Sequence, residues 1–218
     1  MTREFLVSSL HLVFFLVVSA LGAQGPRLAE SFWHEAGLPY LRNFGPEEYQ
    51  AGLQNWHITQ DDRGLMYFSN EQGMLIYDGV SWQLVKLPNE TAIRSISISN
   101  DKIYVGGQGD FGYFVGDPQG RLQFTSLMDS VSEKTRDFKG IWQTFAREDG
   151  VYFRTYQYIF RWNKGRMKSW KPKVFFHTAM LVNDRFYVRE WRAGLKELVG
   201  DSLKLVPQGE FFAENRIY

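Results

Sequence analysis

Few side chains in this 218-residue sequence are spaced for catalysis. Asp61 and Asp62 are adjacent carboxylates, but Arg63-Gly64 follows them, and this composition is typical of a turn. Cysteine is absent, so thiolate metal ligands, cysteine nucleophiles and disulfides are excluded. Three histidines are isolated from one another and lack metal-ligand spacing: His34, His57 and His177. The sequence therefore predicts no catalytic residue, no metal site and no cofactor.

One glycine-rich segment, residues 106–112, could be mistaken for a phosphate-binding loop. Such a loop must lead into a helix, because the helix N-terminus supplies the amides and the dipole that bind the anion. Here the segment joins two predicted strands, which favours a tight turn between strands.

Better candidates for function are polar and aromatic side chains in short segments between predicted strands. They are Asn70, Gln72, Gln108, Asp110, Tyr156, Trp191 and Arg192. Amides, carboxylates, guanidinium groups and aromatic rings together suit a polar ligand such as a glycan or a peptide segment. The alternative is that they are ordinary turn residues. We predict a ligand site here if the fold brings these segments together.

The elements that must position these residues form a repeat. An apolar–Tyr–Phe/Val strand recurs at Tyr67, Tyr104, Tyr152 and Tyr187, at intervals of 37, 48 and 35 residues. A glycine turn recurs at intervals of 41, 45 and 35 residues, at Gly79, Gly120, Gly165 and Gly200. A strand that recurs about every 40 residues is typical of a β-propeller blade. The fold class predicted is all-β, a β-propeller in which one kind of loop gathers at one face of the channel.

The repeat divides the chain into about four four-stranded blades. They cover residues 54–91, 92–137, 138–174 and 175–209. Residues 128–137 are a polar insertion that explains the 48-residue interval, and residues 210–218 resemble the start of a fifth blade. In the first strand, residues 56–60 alternate apolar and polar side chains, which is the period of a half-buried strand. We expect the N-terminal portion of a larger ring, and the alternative is a complete ring of four blades.

The N-terminus has the pattern of an export signal. A charged start is followed by an apolar stretch and then by Ala20-Leu21-Gly22-Ala23, which suits signal peptidase. Residues 1–23 are therefore predicted to be a signal peptide, the alternative being an uncleaved membrane anchor. Residues 24–53 are predicted to be a lead-in arm along the first blade. The net charge is +1 and no basic stripe stands out, which argues against nucleic acid as a partner.

The first two blades carry a more specific motif. It runs from Gln54 through Asp61-Asp62-Arg63-Gly64 and Tyr77-Asp78-Gly79 to Trp82, and the second blade continues it from Ile93 to Gly120. This pattern resembles the two-component regulator propellers. The resemblance is specific in the first two blades and architectural in the last two.

The resemblance implies a function and an assembly. In that family the propeller is the exported sensor region of a bacterial signalling protein. More blades, a small β-sandwich with a triple-tyrosine motif, a membrane span and a histidine kinase or DNA-binding regulator commonly follow. The resemblance thus implies a non-catalytic, periplasmic or extracellular sensor whose partners are a polar ligand and the downstream domains of the same protein. The oligomeric state stays open, a homodimer included. The alternatives are a secreted scaffold or adhesin, or a glycan-active propeller enzyme.

Overall fold

Sixteen strands of four to seven residues make up almost all of the regular structure in this computed structural model. The structure describes residues 41–215 and 217. The predicted signal peptide and residues 24–40 of the predicted arm lie outside this range. Within the described residues, the chain from Phe44 onward belongs to one compact unit.

The strands form four antiparallel sheets, each with its four strands in sequence order. Blades one and two contain β1 (Asn55–Gln60), β2 (Met66–Asn70), β3 (Gly73–Tyr77), β4 (Trp82–Val85), β5 (Ile93–Ser99), β6 (Lys102–Gly107), β7 (Phe111–Gly116) and β8 (Leu122–Ser126). Blades three and four contain β9 (Gln143–Arg147), β10 (Gly150–Arg154), β11 (Ile159–Asn163), β12 (Arg166–Trp170), β13 (Phe176–Val182), β14 (Arg185–Glu190), β15 (Gly194–Val199) and β16 (Ser202–Leu205). The all-β prediction with four four-stranded blades is confirmed.

The first strand of each blade is the innermost one. β5 contacts both β1 and β9, and β9 contacts β13, so these four strands follow one another around a common axis. This is the arrangement of propeller blades around a central channel. Neighbouring strands of a blade are antiparallel, so the second strand ends where the first strand begins. The loops between second and third strands therefore lie at the same end of the channel as the starts of the first strands.

Apolar cores fill the spaces between blades. The recurrent tyrosine contributes to each core by facing the next blade. Tyr67 packs with Ile93 and Ile96 of blade two, whereas Tyr152 stacks on Phe186 of blade four with ring centroids 4.9 Å apart. All five of these residues are buried. The repeat therefore fixes the packing of blade on blade.

Residues between β8 and β9 form two 3-10 turns, Met128–Ser130 and Glu133–Thr135. The sequence predicted a polar insertion here. The structure shows that it also closes the core between blades two and three, because Val131 and Phe138 are buried among that core's aromatic rings. Two apolar residues among many charged ones were too few to reveal this anchoring.

The described end of the arm contacts blade one. A single helical turn, α1 (Pro46–Tyr49), precedes β1. The rings of Phe44 and Tyr49 lie 5.2 and 5.7 Å from the ring of Trp82 in β4. These contacts cover the outermost strand of the blade.

A 3-10 helix, Gly209–Phe212, follows β16 and packs on β15. The Arg189 Nε donates a hydrogen bond of 2.7 Å to the carbonyl oxygen of Phe212, which holds this segment against blade four. Among the described residues after Leu205 there is no strand. The predicted start of a fifth blade at residues 210–218 stays a prediction, and Arg216 and Tyr218 lie outside the described residues.

Candidate functional site

A bulge recurs at the start of the innermost strands. The antiparallel register shifts between Asn55 and His57 in β1, and equivalent shifts occur at the starts of β5 and β13. A bulge leaves one residue unpaired and turns its side chain in a new direction. The residues so placed are Trp56, Arg94 and His177, and Trp142 holds the corresponding position just before β9. Each blade thus presents one large side chain at the same end of the channel.

The Arg94 guanidinium lies between two of these side chains. Its Cζ is 4.1 Å from the ring centroid of Trp142 and 5.7 Å from that of Trp56. Such cation–π contacts stabilise a guanidinium by about 0.5–2 kcal/mol each. The Arg94 Nη2 also donates a hydrogen bond of 3.2 Å to the side-chain oxygen of Gln108, which is one of the predicted site residues.

Aromatic rings continue from Trp142 into blade four. Ring centroids are 5.5 Å apart for Trp142 and Tyr156, 6.0 Å for Tyr156 and Phe175, and 5.6 Å for Phe175 and Trp191. The last pair is nearly parallel, with an interplanar angle of 11°. We call Trp56, Trp142, Tyr156, Phe175 and Trp191 the aromatic row. It crosses blades one, three and four, and Arg94 supplies the link from blade two.

Two cavities adjoin the aromatic row. The aromatic cavity, of about 680 Å³, is lined by Tyr156, Gln157, Val174, Phe175, His177 and Trp191. The guanidinium cavity, of about 330 Å³, is lined by Trp56, His57, Arg94, Ser95, Trp142, Gln143, Thr144, Phe145 and Arg154. Because Trp142 of one cavity contacts Tyr156 of the other, the two cavities lie next to each other.

Arg154 is the most strongly perturbed group in the site. It ends β10, is only 5% exposed, and donates a hydrogen bond of 3.0 Å from Nε to the Gln143 side-chain oxygen. Burial lowers the pKa of Arg154 to about 10, because a charged guanidinium is poorly solvated there. Partial burial in the same cavity also lowers the pKa of His57, which favours the neutral imidazole.

A third cavity, of about 890 Å³, opens at the other end between blades one and two, among turn residues. Its Asp61 accepts hydrogen bonds at Oδ1 from the backbone amides of Arg63 and Leu65, both 3.0 Å long. Asp61 is therefore a turn residue, as predicted. Among the described residues, no cluster of three or more metal-ligating side chains occurs.

Three of the predicted site residues belong to the aromatic row or contact Arg94 beside it. Tyr156 and Trp191 belong to it, and Gln108 contacts Arg94. Arg192 is next to Trp191 with its side chain exposed, and its backbone amide donates to the Ala213 carbonyl oxygen.

The other three predicted site residues lie outside both cavities, Asn70 at the end of β2 and the other two in turns. Asn70 is fully buried, and its amide donates to the carbonyl oxygen of Gly52 at 2.7 Å, which ties the arm to blade one. Asp110 accepts a hydrogen bond of 2.6 Å from the Ser126 hydroxyl. Gln72 is exposed in the turn beyond β2. We leave these three residues out of the candidate site.

Sequence reasoning missed the residues at the bulges, although a signal for them exists. Arg94, Trp142 and His177 each lie ten residues before the recurrent tyrosine of their blade, and Trp56 lies eleven before its own. Alignment of the blades on the tyrosines therefore brings three of these side chains into one column and places Trp56 one position before it. Arg154 had no such signal, because its burial at the cavity wall depends on how the blades pack.

Among the described residues, no helix has the length and apolar composition needed to cross a membrane.

Solved structures with the same fold include extracellular domains of bacterial proteins. The extracellular domain of a protein described as the hybrid two-component system BT4673 of B. thetaiotaomicron aligns with a TM-score of 0.52 and 18% identity, over 69% of this chain and 21% of that one. The corresponding domain of BT3049 from the same organism aligns with a TM-score of 0.50 and 16% identity, over 76% and 26%. The WD40 propeller domain of Doa1 aligns with a TM-score of 0.51 and 10% identity, over 68% and 52%.

At these identities the likeness shows the propeller fold alone. The chain spans about a fifth to a quarter of the length of the two extracellular domains. No protein-family model matches the sequence, and no match was found among curated proteins.

Proposed function

We propose that this chain is the exported ligand-recognition region of a bacterial two-component signalling protein, and that it binds a polar ligand such as a glycan at the aromatic row. The observation that carries the proposal is the aromatic surface that Tyr156, Phe175 and Trp191 contribute to a cavity of about 680 Å³. Ligand pockets combine apolar and aromatic walls with a few polar groups that orient the ligand. Here Gln157 and His177 supply those polar groups.

Two further findings support the signalling role. The motif of the first two blades resembles two-component regulator propellers, and the chain shares its fold with domains described as extracellular parts of hybrid two-component systems. A sensor region of that kind is exported and binds its ligand outside the cytoplasm. The attachment to a membrane-spanning output protein is part of the same proposal.

The site is suited to convert binding into a change of conformation. Trp56 belongs to blade one, Arg94 to blade two, Tyr156 to blade three and Trp191 to blade four. A ligand along this row contacts several blades, so it stabilises one arrangement of the blades over others. A ligand shifts such an equilibrium only by its difference in affinity for the two arrangements.

Recognition without cleavage is part of the proposal. The side chains that line the two cavities are aromatic, aliphatic, amide, hydroxyl, imidazole and guanidinium groups. Most glycosidases need a pair of carboxyl groups on either side of the scissile bond. Release of reducing sugar from a glycan by the purified chain would contradict this part.

Binding is tested by titrating the full chain with neutral and acidic oligosaccharides while its tryptophan fluorescence is followed. Two valines make a matched pair, since Val174 lines the aromatic cavity and is 50% exposed, whereas Val199 is 44% exposed at the end of β15, toward the opposite end. We expect Val174→Asp and Tyr156→Ala to raise the dissociation constant of a bound saccharide about tenfold or more, as loss of a central contact does. Val199→Asp should leave it unchanged.

Equal affinities in all of these variants would show that the ligand binds elsewhere. Absence of binding to every saccharide tested, neutral and acidic, would overturn the proposal of a glycan ligand.

A further inference from the structure

Arg154 is a buried cation, and no carboxylate of the described residues forms an ion pair with it. Its Nη1 is buried and has no hydrogen-bond partner among the described residues, while Nε donates to the neutral Gln143 amide. Its guanidinium lies 5.5 Å from the centroid of the Tyr156 ring. A buried charge is costly unless an opposite charge or sufficient hydrogen bonds compensate it. Arg154 lines the guanidinium cavity, so its charge and its unmet hydrogen-bonding capacity lie at the wall of a space that the chain itself does not fill.

Arg94 adds a second positive charge to the same cavity. Its Nε is also buried and without a hydrogen-bond partner among the described residues, although Nη2 donates to Gln108. The residues that line the guanidinium cavity include both arginines and, within the described chain, no aspartate or glutamate. Two guanidinium groups at one cavity repel each other unless an anion lies between or beside them.

We propose that the guanidinium cavity is an anion subsite, and that the ligand is an acidic saccharide whose carboxylate or sulfate group binds Arg94 and Arg154 while its ring lies on the aromatic row. This rests on the proposed function and assigns its ligand class. A guanidinium presents parallel N–H donors that match the oxygens of a carboxylate or a sulfate.

The two cavities are arranged for such a ligand. Tyr156 lies beside the Arg154 guanidinium and also lines the aromatic cavity, so a charged substituent and its sugar ring can occupy adjacent places. Trp56 and Trp142 hold the Arg94 side chain from both sides, which limits its rotamers before the ligand arrives. A donor held in place loses less conformational entropy on binding.

The test uses three probes with the full chain: inorganic sulfate, trigalacturonate and the carboxyl-reduced form of the same trisaccharide. Chloride keeps the ionic strength constant. We expect sulfate and trigalacturonate to bind saturably, and Arg154→Gln to raise both dissociation constants about tenfold or more, as loss of a charged hydrogen bond does. Arg166→Gln is the matched control, because it removes the same charge from an exposed position on β12.

A second variant keeps the test decisive if Arg154→Gln does not fold. Gln143→Glu places a carboxylate where the side-chain oxygen now accepts from Arg154 Nε at 3.0 Å, so the guanidinium gains an internal counter-ion. Gln143 Nε2 also donates a hydrogen bond of 2.9 Å to the Ala179 carbonyl oxygen, and the variant loses this bond, so its unfolding temperature is compared with that of the wild type. The folded variant should bind sulfate and trigalacturonate about tenfold more weakly, since the net positive charge of the cavity is then lower by one.

The results separate this inference from the proposed function. Equal affinity for trigalacturonate and its carboxyl-reduced form, or unchanged sulfate binding in the Arg154 and Gln143 variants, would overturn the anion subsite and leave glycan binding intact. Sulfate binding that is lost in Arg154→Gln, together with failure of every saccharide, would support the anion subsite but contradict the saccharide ligand.

Discussion

Single aspartates hold the outer hairpins of the first two blades. Asp78 accepts hydrogen bonds at Oδ1 from the amides of Val80 (2.8 Å) and Ser81 (2.7 Å). Asp117 accepts at Oδ1 from the amides of Gln119 (3.0 Å) and Arg121 (2.8 Å) in the equivalent turn. These backbone hydrogen bonds stabilise the ionised carboxylates and lower the pKa of both groups. The motif that resembles the family therefore has a local role in folding.

The lowered pKa of Asp78 gives a pH dependence of stability. Because the folded-state pKa lies below its ordinary value of 3.8, the stabilisation is complete above that value and is lost as the pH falls through the lower folded-state pKa. Asp78→Asn keeps the Oδ1 acceptor but cannot titrate. Between about pH 5 and pH 2, the unfolding temperature of the variant should therefore fall less steeply than that of the wild type.

Asp62→Asn, in a turn between strands of the same blade, is the control for this measurement. Its side chain is exposed and should leave the slope of the wild type unchanged. Identical slopes for Asp78→Asn and the wild type would show that the turn carboxylate does not contribute to acid unfolding.

At the scale of strands and turns, the sequence is informative because each turn requires particular residues. The hairpin between β11 and β12 has positive φ at both central positions, 47° at Lys164 and 80° at Gly165. This is the conformation of a type I′ turn, whose backbone twist matches that of the flanking strands. Gly165 could therefore be located from sequence, as could the other three glycine turns.

Substitutions in this turn should have opposite effects. Gly165→Ala adds a Cβ that meets no atom within 4 Å, so its cost comes from the left-handed backbone alone, about 1–2 kcal/mol. Lys164→Asn should be neutral or stabilising by a few tenths of a kcal/mol, since asparagine tolerates that conformation better than lysine. Urea unfolding of the two variants measures both effects. A stabilising effect of Gly165→Ala would contradict the turn type.

The candidate site was harder to predict, because bulges interrupt the period-two pattern. Residues 56–60 alternate in the sequence as expected of a half-buried strand, yet Ile58 is 54% exposed while Trp56 is half-buried. The register shift beside Trp56 changes which side chains face the blade interface. Tyr156 and Trp191 could be predicted because they lie in loops. The placement of Arg94 and Arg154 at one cavity could not, because it depends on packing between two blades.

At the scale of the whole molecule, stability depends on contacts between neighbouring blades. Blades two and three each have a buried core on both sides, whereas blade four shares one core, with blade three, among the described residues. In repeat architectures, stability is roughly the sum of repeat and nearest-interface contributions. Blade four should consequently open more readily than blades two and three.

Hydrogen exchange of the full chain tests this order. Phe186 is fully buried between Tyr152 and Phe145, with ring centroids 4.9 and 5.7 Å away, so Phe186→Ala should cost about 3–5 kcal/mol at that interface. Amides of β13 to β15 should then exchange about a hundredfold faster or more, because their opening free energy falls by that amount. Amides of β6 in blade two should keep their protection.

Tyr187→Ala is the control, since its half-buried side chain lies on the same strand but faces away from blade three. An equal loss of protection in all four blades would show that the molecule unfolds as one unit, and that the interface between blades three and four is not a separate unit of stability.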